Sequence, residues 1–503
     1  MIKTSYLAFC EQAKQHKTIP VIEQFFADGL TPIQIVHQLT EEVSFLLESH
    51  DEASIWSNYS FIGLNPLYEL VEENGRFITY SKKKEPIIHG QTFEEAYEAT
   101  MALMDVAPID LPIPFKGGAV GYMSYDAIET IEPVLKANTT NVAPYYQFLF
   151  CETLIAYDHV QKQLTIIVHK PIDFELTLSS QYDESVSILK NIVQKLEQPI
   201  RGLSIKSSPA FEQEVSFEKI KSNYDKSSFI RDVERIKEYI RAGDIFQAVL
   251  SQRFEVDVRS SGLEIYRVLR MVNPSPYLFY LKFDDLEIVG SSPERLVQVQ
   301  DGHVEIHPIA GTRKRGLNQE EDNRLQEELL ADEKERAEHY MLVDLARNDV
   351  GRIAEYGSVQ TPTLLEIGKF SHVMHIVSKV TGELRTGVKP LDALMSSFPA
   401  GTVSGAPKIR AMEILQELEP TKRGIYAGAI GYLGFDGNID SCIAIRTLVL
   451  KDQKAYVQAG AGIVADSVPL KEYEETQNKA KALIRSVQMA EKMFGYEEVK
   501  VDA

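Results

Sequence analysis

The sequence lacks the hydrophobic segments that membrane and secreted proteins carry. No run of about 18 consecutive apolar residues occurs in the 503-residue chain, whereas a transmembrane helix needs about 20. Residues 1–17 also lack the apolar core and the small-residue cleavage site of a signal peptide. We therefore expect a soluble, cytoplasmic protein that does not act on a membrane.

Cysteine and positive charge are also scarce. The three cysteines, Cys10, Cys151 and Cys442, are far apart and form no CxxC pair, which predicts reduced thiols rather than a disulfide framework or a zinc site. The formal net charge is −20. Phosphate binding requires a basic surface, so this balance argues against a nucleic-acid partner.

What is present is an ordinary globular composition, with 44% hydrophobic and 25% charged residues. Its length suffices for two domains or one large domain. Residues 197–218 contain two prolines and a cluster of Ser and Lys, which is typical of a linker. We therefore predict an N-terminal domain over residues 1–205 and a second domain over residues 220–492.

Hairpin signals dominate the strand-like segments. Asp301-Gly302 separates two apolar runs, and Asp436-Gly437 separates residues 427–435 from residues 439–450, with a further strand at 455–464. Strands joined by hairpins form antiparallel sheets, whereas crossover helices would give parallel ones. The pattern predicts an α+β fold with antiparallel sheets.

Two acidic helices are the main functional signal. After Ser467-Val468-Pro469, which is typical of a capped helix start, Glu472, Glu475 and Lys479 fall on one helix face. Taken alone, this face is more often a solvated ion-pair stripe. A second predicted helix, residues 332–347, places Glu335 and Glu338 three positions apart. Four carboxylates on two helices are the oxygen ligands that Mg²⁺ prefers, alongside water and a substrate carboxylate.

Two glycine-rich segments resemble nucleotide-binding motifs in part of their sequence but lack the features that such sites require. Residues 460–465 read GAGIVA, but no second parallel strand or acidic ribose ligand follows, as a dinucleotide site requires. Glycines there suit close approach of the backbone to an anion. Residues 401–408 read GTVSGAPK rather than a Walker A motif. They lead into a predicted helix, 408–418, whose start could hold a carboxylate, although a plain turn is an equal alternative.

Three single residues remain open to two interpretations. His372 and His375 could form a metal pair, but packed histidines are the more usual case, and one of them could carry a proton near neutral pH. Arg446 lies in the apolar segment IAIRT. An arginine in such a segment needs an anion, and a ligand carboxylate would suit its planar fork.

Four motifs in order carry a resemblance to a known family: residues 307–313 (HPIAGTR), 335–348 (ERAEHYMLVDLARN), 398–408 (FPAGTVSGAPK) and 460–479. Together they resemble the chorismate-utilising enzymes, and within these the large, synthase subunits of anthranilate synthases. The resemblance extends through residues 45–63. It implies large antiparallel sheets packed as a sandwich with helices on the outer faces.

Within that family, two positions separate the reactions. Enzymes that add water at C2 of the ring use a lysine where this chain has Gln247, whose amide cannot act as a base. Enzymes of the 4-aminobenzoate branch use a nucleophilic lysine where this chain has Ala310. The resemblance therefore implies addition of ammonia at C2 and loss of pyruvate to give anthranilate.

The resemblance also assigns roles to side chains. Glu335, Glu338, Glu472 and Glu475 would hold Mg²⁺. Glu294 would protonate the departing C4 hydroxyl, with its pKa raised by nearby carboxylates. Thr402 would contact the hydroxyl end of the ring and His375 would assist pyruvate elimination. The implied substrate contacts are Gly311, Thr312, Tyr426, Arg446, Gly460, Ala461, Gly462 and Lys479.

A tryptophan feedback site is implied as well. The residues that match it are Glu48, Ser49, Pro276, Tyr277 and Leu278. Leu278 stands where the family often has Met, which keeps apolar volume. Asn58 stands where Arg usually precedes Tyr-Ser, and this removes a positive charge.

The expected partners are chorismate, tryptophan as an inhibitor and a separate glutamine amidotransferase subunit, because the chain contains no cysteine-centred glutaminase segment. A heterodimer or a heterotetramer would deliver ammonia to the synthase. Three alternatives stay open: a synthase subunit of the 4-aminobenzoate branch, an enzyme that stops at the amino-chorismate intermediate, and a catalytically silent amino-acid-binding regulator.

Overall fold

The structure is a computed structural model that describes residues 3–50, 55–136, 144–200, 202–203, 215–217, 220–369 and 373–495. No helix in these ranges is long and apolar enough to cross a membrane.

The first part of the chain forms long antiparallel strands with short helices between them. Its strands are β1 (Thr18–Phe26), β2 (Val43–Glu48), β3 (Tyr59–Glu73), β4 (Arg76–Ser81), β5 (Pro86–Gly90), β6 (Gly118–Met123), β7 (Tyr146–Asp158) and β8 (Gln163–Pro171). Its helices are α1 (Tyr6–Gln12), α2 (Pro32–Gln38), α3 (Phe93–Met104), α4 (Ile128–Ile131) and α5 (Leu178–Leu196).

The second part has longer helices between hairpins. Its strands are β9 (Lys221–Ser222), β10 (Gln247–Asp257), β11 (Tyr277–Lys282), β12 (Glu287–Ser292), β13 (Arg295–Gln300), β14 (His303–Ile306), β15 (Ile309–Lys314), β16 (Gln360–Lys369), β17 (Val373–Glu383), β18 (Gly405–Ala406), β19 (Ala429–Gly434), β20 (Ile439–Ile443), β21 (Thr447–Lys451) and β22 (Lys454–Ile463). Its helices are α6 (Lys226–Ala242), α7 (Gly262–Val272), α8 (Gln319–Ala331), α9 (Glu333–Gly351), α10 (Pro390–Ser397), α11 (Lys408–Leu418) and α12 (Pro469–Phe494).

Local chemistry explains where the functional helices begin and end. Asp332 caps α9 by accepting hydrogen bonds from the backbone N–H groups of Lys334 and Glu335, which satisfies two of the donors left free at a helix start. Helix α6 ends at Gly243, whose φ of 86° is the left-handed conformation that glycine adopts without a Cβ penalty. The predicted boundaries of both helices are confirmed to within a few residues.

The sheets cross the predicted domain boundary. Strand β2 pairs with β11, so that Leu47 lies opposite Phe279, and β6 pairs with β19, so that Gly121 lies opposite Gly431. Residues 204–214 of the predicted linker lie outside the described residues. Strands from both sides of the linker thus share sheets, and the division into two domains stays a prediction.

Antiparallel pairing confirms the predicted α+β class. The Asp301-Gly302 turn joins β13 to β14, the Asp436-Gly437 turn joins β19 to β20, and β21 returns along β22. Helix α12 packs on the sheet through Ala480, Leu483, Ile484 and Val487, all of which are buried. This packing fixes which way its acidic N-terminal turns face.

Two local predictions were wrong. The strand expected over residues 439–450 is interrupted, because Arg446 has φ of 51° and separates β20 from β21. Ser467 does not cap α12: the N-cap is Val468 without a side-chain bond, and the Ser467 hydroxyl accepts from the Val464 N–H at 3.1 Å.

Candidate active site

The acidic turns of α9 and α12 face each other. Burial raises the pKa of Glu338 on α9, and the charges of Glu335 and of Glu475 on α12 raise it further. Burial likewise raises the pKa of Glu472 on α12, and Glu475 adds to this effect. Lys334 on α9 lowers both pKa values, so charges from each helix act on carboxylates of the other. The four predicted carboxylates therefore belong to one electrostatic cluster rather than to separate solvated faces.

Cations neutralise part of this cluster. Lys479 Nζ lies 2.8 Å from Glu475 Oε1 and donates to the Gly460 carbonyl at 2.9 Å. Arg313 lies 3.5 Å from Glu335. Among the described residues, no three His, Cys, Asp or Glu side chains stand close enough to hold a metal ion in the arrangement seen.

The donor chemistry of the cluster nevertheless fits a hard divalent cation. Glu335, Glu338, Glu472 and Glu475 offer only carboxylate oxygens, which Mg²⁺ prefers. The raised pKa values of Glu338 and Glu472 mean that their negative charge is poorly compensated. A divalent cation would compensate it, provided that the carboxylates reorient from their present ion pairs.

The glycines of β22 form a close-packed wall beside these acids. A Cβ on Gly460 would lie 2.8 Å from the Tyr426 hydroxyl, and one on Gly462 would lie 2.7 Å from the amide nitrogen of Gln247. Real Cβ atoms do not approach so closely. At Gly460 the Tyr426 ring and Val249 leave no room for a side chain, whereas at Gly462 a side chain would have to displace the end of the flexible Gln247 side chain. Gln247 also interacts with Glu338, which brings the start of β10 into the same site.

Arg446 stands next to this wall without an ion pair among the described residues. Burial lowers its pKa, while Tyr426 and Glu475 act in the opposite direction. A partly buried guanidinium without a partner carboxylate favours binding of an anion. That Arg446 binds an anion stays a prediction, and the residue lies in a break between strands and not within one.

Glu294 lies between β12 and β13 and carries the most perturbed carboxyl of the site. Burial raises its pKa to about 7, against the opposing effects of Thr402 and Lys479. The predicted direction was right, but the cause is desolvation and not neighbouring carboxylates. The carboxyl can therefore hold a proton near neutral pH and release it to a leaving group.

Thr402 stands in a short 3-10 turn, Gly401–Val403. Its buried hydroxyl makes no well-aligned hydrogen bond and lies near the Glu294 carboxyl. Both residues line a small cavity of about 40 Å³. An unpartnered buried hydroxyl beside an acid is a polar group left for a ligand to satisfy.

His375 lies on β17 and faces β15. Its Nδ1 is 2.7 Å from the Gly311 carbonyl oxygen and 3.2 Å from the Thr312 hydroxyl. Because a carbonyl only accepts, Nδ1 donates and Nε2 remains an acceptor. Burial lowers the pKa of His375, which keeps the ring neutral at pH 7. His372, the other half of the predicted metal pair, lies outside the described residues.

A second, larger cavity of about 430 Å³ lies away from the acids. The five residues predicted for a feedback site all line it: Glu48, Ser49, Pro276, Tyr277 and Leu278. Its polar wall includes Arg295, whose Nε donates to the Tyr277 hydroxyl at 2.7 Å. Arg295 follows Glu294 in sequence and lines both cavities, so the two cavities share a wall.

Glu48 in this cavity is held by three groups. The Tyr266 hydroxyl donates to it at 2.5 Å, the Ser60 hydroxyl donates at 3.1 Å, and Arg270 lies 3.4 Å away. Arg270 on α7 supplies a positive charge beside Glu48 that the sequence reasoning had counted as lost with Asn58. No sequence signal identified Arg270, because α7 follows β2 by more than 200 positions and only the fold brings them together.

The comparison with known families agrees with this geometry. The family model described as chorismate binding enzyme matches residues 45–485, which include α9, the acidic turns of α12 and the residues that line both cavities. The chain belongs to the chorismate-binding enzyme family. The resemblance inferred from the four sequence motifs is thereby confirmed.

Similar proteins match over nearly the full length. Anthranilate synthase component 1 of Bacillus subtilis is 54% identical over 501 residues, which cover 98% of this chain and 97% of that protein. The protein of the same name from Aquifex aeolicus is 44% identical and covers 95% of this chain and 96% of its own length.

Solved structures match the whole architecture. Anthranilate synthase component I from Streptococcus pneumoniae superimposes with a TM-score of 0.74 at 37% identity, over 91% of this chain and 98% of that one. The menaquinone-specific isochorismate synthase of Escherichia coli has a TM-score of 0.66 at 18% identity, over 95% and 97% of the two chains. At that identity the second likeness shows the shared fold alone.

Proposed function

We propose that this chain is the synthase component of an anthranilate synthase, which converts chorismate and ammonia to anthranilate and pyruvate in tryptophan biosynthesis. The observation that carries the proposal is the meeting of the acidic turns of α9 and α12 beside the glycine wall of β22. The proposal is also supported by a relative named anthranilate synthase component 1, which is 54% identical to this chain over nearly the full length.

Chorismate is a dicarboxylate, and the site offers two kinds of group for carboxylates. Arg446, Lys479 and Tyr426, with the backbone of Gly460 to Gly462, would bind the enolpyruvyl carboxylate. Gly311 and Thr312 would contact the same substrate from the β15 side. The ring carboxylate would meet Mg²⁺ held by Glu335, Glu338, Glu472 and Glu475.

When bound there, Mg²⁺ would withdraw electron density from the ring carboxylate while the C4 hydroxyl leaves. The protein's own groups then move protons. Glu294 donates its proton to the departing hydroxyl, which leaves as water while ammonia bonds to C2, and the ammonium group formed at C2 releases one proton to solvent. The pKa of about 7 that burial gives Glu294 makes the protonated form available at neutral pH.

Pyruvate is lost in the second step. The neutral Nε2 of His375 is an acceptor for the C2 proton, because Nδ1 donates to Gly311. Removal of that proton and cleavage of the bond from C3 to the enolpyruvyl oxygen make the ring aromatic, and protonation of the enol carbon completes pyruvate. Holding proton and leaving group in one orientation is the main contribution required of the protein.

Two residues favour direct addition of ammonia at C2 over addition of water and over a covalent route through a lysine. The Gln247 side chain lies beside Glu338 and Gly462, and its amide cannot activate water. Ala310 on β15 has no nucleophile for the covalent route of the 4-aminobenzoate branch. That branch remains the alternative function.

The larger cavity would bind tryptophan as a feedback inhibitor. Its volume of about 430 Å³ is within the usual size of small-molecule sites, and Glu48 would receive the amino group. A separate glutamine amidotransferase component would supply ammonia, and free ammonium would be a poorer substitute.

The product identifies the reaction. The purified chain is incubated with chorismate, Mg²⁺ and ammonium, and the products are separated by chromatography with mass detection. Anthranilate with an equal amount of pyruvate supports the proposal. Accumulation of aminodeoxychorismate would instead assign the chain to the 4-aminobenzoate branch, and omission of Mg²⁺ is the control for the metal.

A further inference from the structure

Arg423 is a buried guanidinium at the back of the candidate active site. It is 3% exposed, and its Nε and one Nη2 hydrogen donate to the carboxylate of Glu419 at 2.8 and 2.7 Å. Its other donors go to backbone carbonyls. Nη1 donates to Val403 at 2.7 Å and Nη2 donates to Val249 at 2.6 Å.

These carbonyls belong to separate parts of the site. Val403 follows Thr402 in the turn that faces Glu294. Val249 lies on β10, two residues after Gln247. The guanidinium also lies over two rings, 4.4 Å from the centre of Tyr125 and 5.8 Å from the centre of Tyr426.

Glu419 extends the same network to the glycine wall. The backbone N–H and the hydroxyl of Ser251 donate to Glu419 at 2.9 and 2.8 Å. The Ser251 hydroxyl accepts in turn from the amide of Gln458 at 2.8 Å. Gln458 lies on β22, two residues before Gly460.

Only arginine can make this set of contacts. Its planar fork has five donors in fixed directions, whereas lysine has one ammonium on a flexible stem. The guanidinium contacts neither the acids nor the substrate clamp residue Arg446. Any effect on the reaction would therefore pass through the position of Thr402, Gln247, Tyr426 and Gly460.

We propose that Arg423 is a positioning residue, which fixes the Thr402 turn, the start of β10, the Tyr426 ring and the glycine wall relative to one another. The inference rests on the proposed function for its kinetic consequence. Misplacement of reacting groups by about 1 Å can cost about a hundredfold in rate, so loss of the fork would lower turnover without removing any group that touches substrate.

The test compares Arg423→Lys with a matched control next to it in the chain. Lys422 also makes a buried ion pair, 2.9 Å from Glu129, with side chains 10% and 5% exposed. Lys422→Met should lower the melting temperature but leave kcat and the KM for chorismate unchanged. Arg423→Lys should lower kcat by about 10- to 100-fold and raise KM, with both variants assayed well below their melting temperatures.

A loss of activity in Arg423→Lys that only follows its folded fraction, as in the control, would overturn the proposal. Hydrogen exchange gives a readout that does not depend on turnover. Faster exchange over residues 400–406 and 247–251 in Arg423→Lys, and not in Lys422→Met, supports the positioning role even if the wild-type chain makes no anthranilate. Unchanged exchange in those segments contradicts it.

A smaller change covers the case that Arg423→Lys does not fold. Tyr125→Leu removes the ring under the guanidinium, and Tyr125→Phe keeps a ring there. We expect the leucine variant to lower kcat and the phenylalanine variant to retain it. Equal kcat values in the two variants would count against the network as a positioning device.

Discussion

The acidic cluster of α9 and α12 and the larger cavity hold their carboxylates in opposite ways. Around α9 and α12, Glu338 and Glu472 have raised pKa values because burial and neighbouring acids leave their charge uncompensated. In the larger cavity, Glu48 is buried but has two hydroxyl donors and Arg270 around it. An acid cluster whose charge is only partly compensated by neighbouring cations suits a divalent ion, whereas a carboxylate already held in one orientation suits selection of an amino group.

Glu338→Gln should break the first site and spare the second. Loss of a metal ligand is expected to cost more than the roughly 10- to 100-fold that results from loss of a group hydrogen-bonded to a ligand, so anthranilate formation should fall by at least about a hundredfold. Tryptophan binding, measured by calorimetry, should stay near the wild-type value. Glu333→Gln, an exposed acid at the start of the same helix, is the matched control, and equal loss of binding and turnover would mean that Glu338 is structural.

Glu48→Gln should break the second site. Hydrogen bonds to a charged group contribute about 1.5–3 kcal/mol, so the tryptophan concentration that gives half inhibition should rise by about 10- to 100-fold. Inhibition curves at fixed chorismate measure this. An exposed acid of the same part of the chain, Glu73, is the control as Glu73→Gln, and an unchanged curve for Glu48→Gln would remove Glu48 from the inhibitor site.

The pH dependence should sharpen the difference, because the first site contains Glu294, whose carboxyl has a pKa of about 7. The protonated form of Glu294 donates to the leaving group, so kcat should fall about tenfold per pH unit well above pH 7. A pH profile that stays flat from pH 6 to 9 would exclude Glu294 as the acid.

The raised pKa of Glu294 also predicts how the free energy of unfolding depends on pH. A salt-bridged acid stabilises the fold more as pH rises, whereas Glu294 should stabilise it less. Between the unfolded value of 4.5 and the folded value of about 7, the unfolded chain releases the proton of Glu294 while the folded chain keeps it. Stability is therefore lost across this window as pH rises, by up to about 3 kcal/mol at about 1.4 kcal/mol per pKa unit. Glu294→Gln should melt higher than wild type at pH 8 and equally at pH 4.5, as calorimetry can measure.

The smallest effect is expected from Leu278→Met in the larger cavity. Leu278 is 1% exposed, and volume-conserving apolar exchanges in packed sites usually cost less than about 1.5 kcal/mol. The inhibition constant for tryptophan should therefore move by less than about tenfold, and turnover should not change. A larger change in the inhibition constant would show that tryptophan binding depends on the shape of the side chain at position 278.

Much of the fold could be predicted because its signals are local. Hairpin turns at Asp301-Gly302 and Asp436-Gly437, the capping of α9 and the glycine end of α6 all depend on neighbouring residues. The break at Arg446 could not be predicted, since its left-handed backbone is imposed by the pairing of β20 and β21 with different strands.

For the candidate site, too, some features could be predicted from the sequence and others could not. The resemblance carried by the four motifs predicted its residues, and the family that the motifs indicate is confirmed. The roles assigned to individual side chains stay predictions. The cause of the raised pKa of Glu294 was predicted wrongly, because desolvation depends on how closely distant segments pack around the carboxyl and not on neighbours in sequence.

By itself, the sequence determined which chemical groups are available: four carboxylates in two helical patterns, a glycine-rich strand, and no lysine at either position 247 or 310. Only the tertiary structure decided that charges on α9 and α12 act on each other, that Arg270 stands at Glu48, and that Arg423 holds the back of the site. The physical reason is the distance along the chain over which each effect acts. Periodicity and capping act over a few residues, whereas burial and charge interaction depend on which distant segments the packed core brings within a few ångströms.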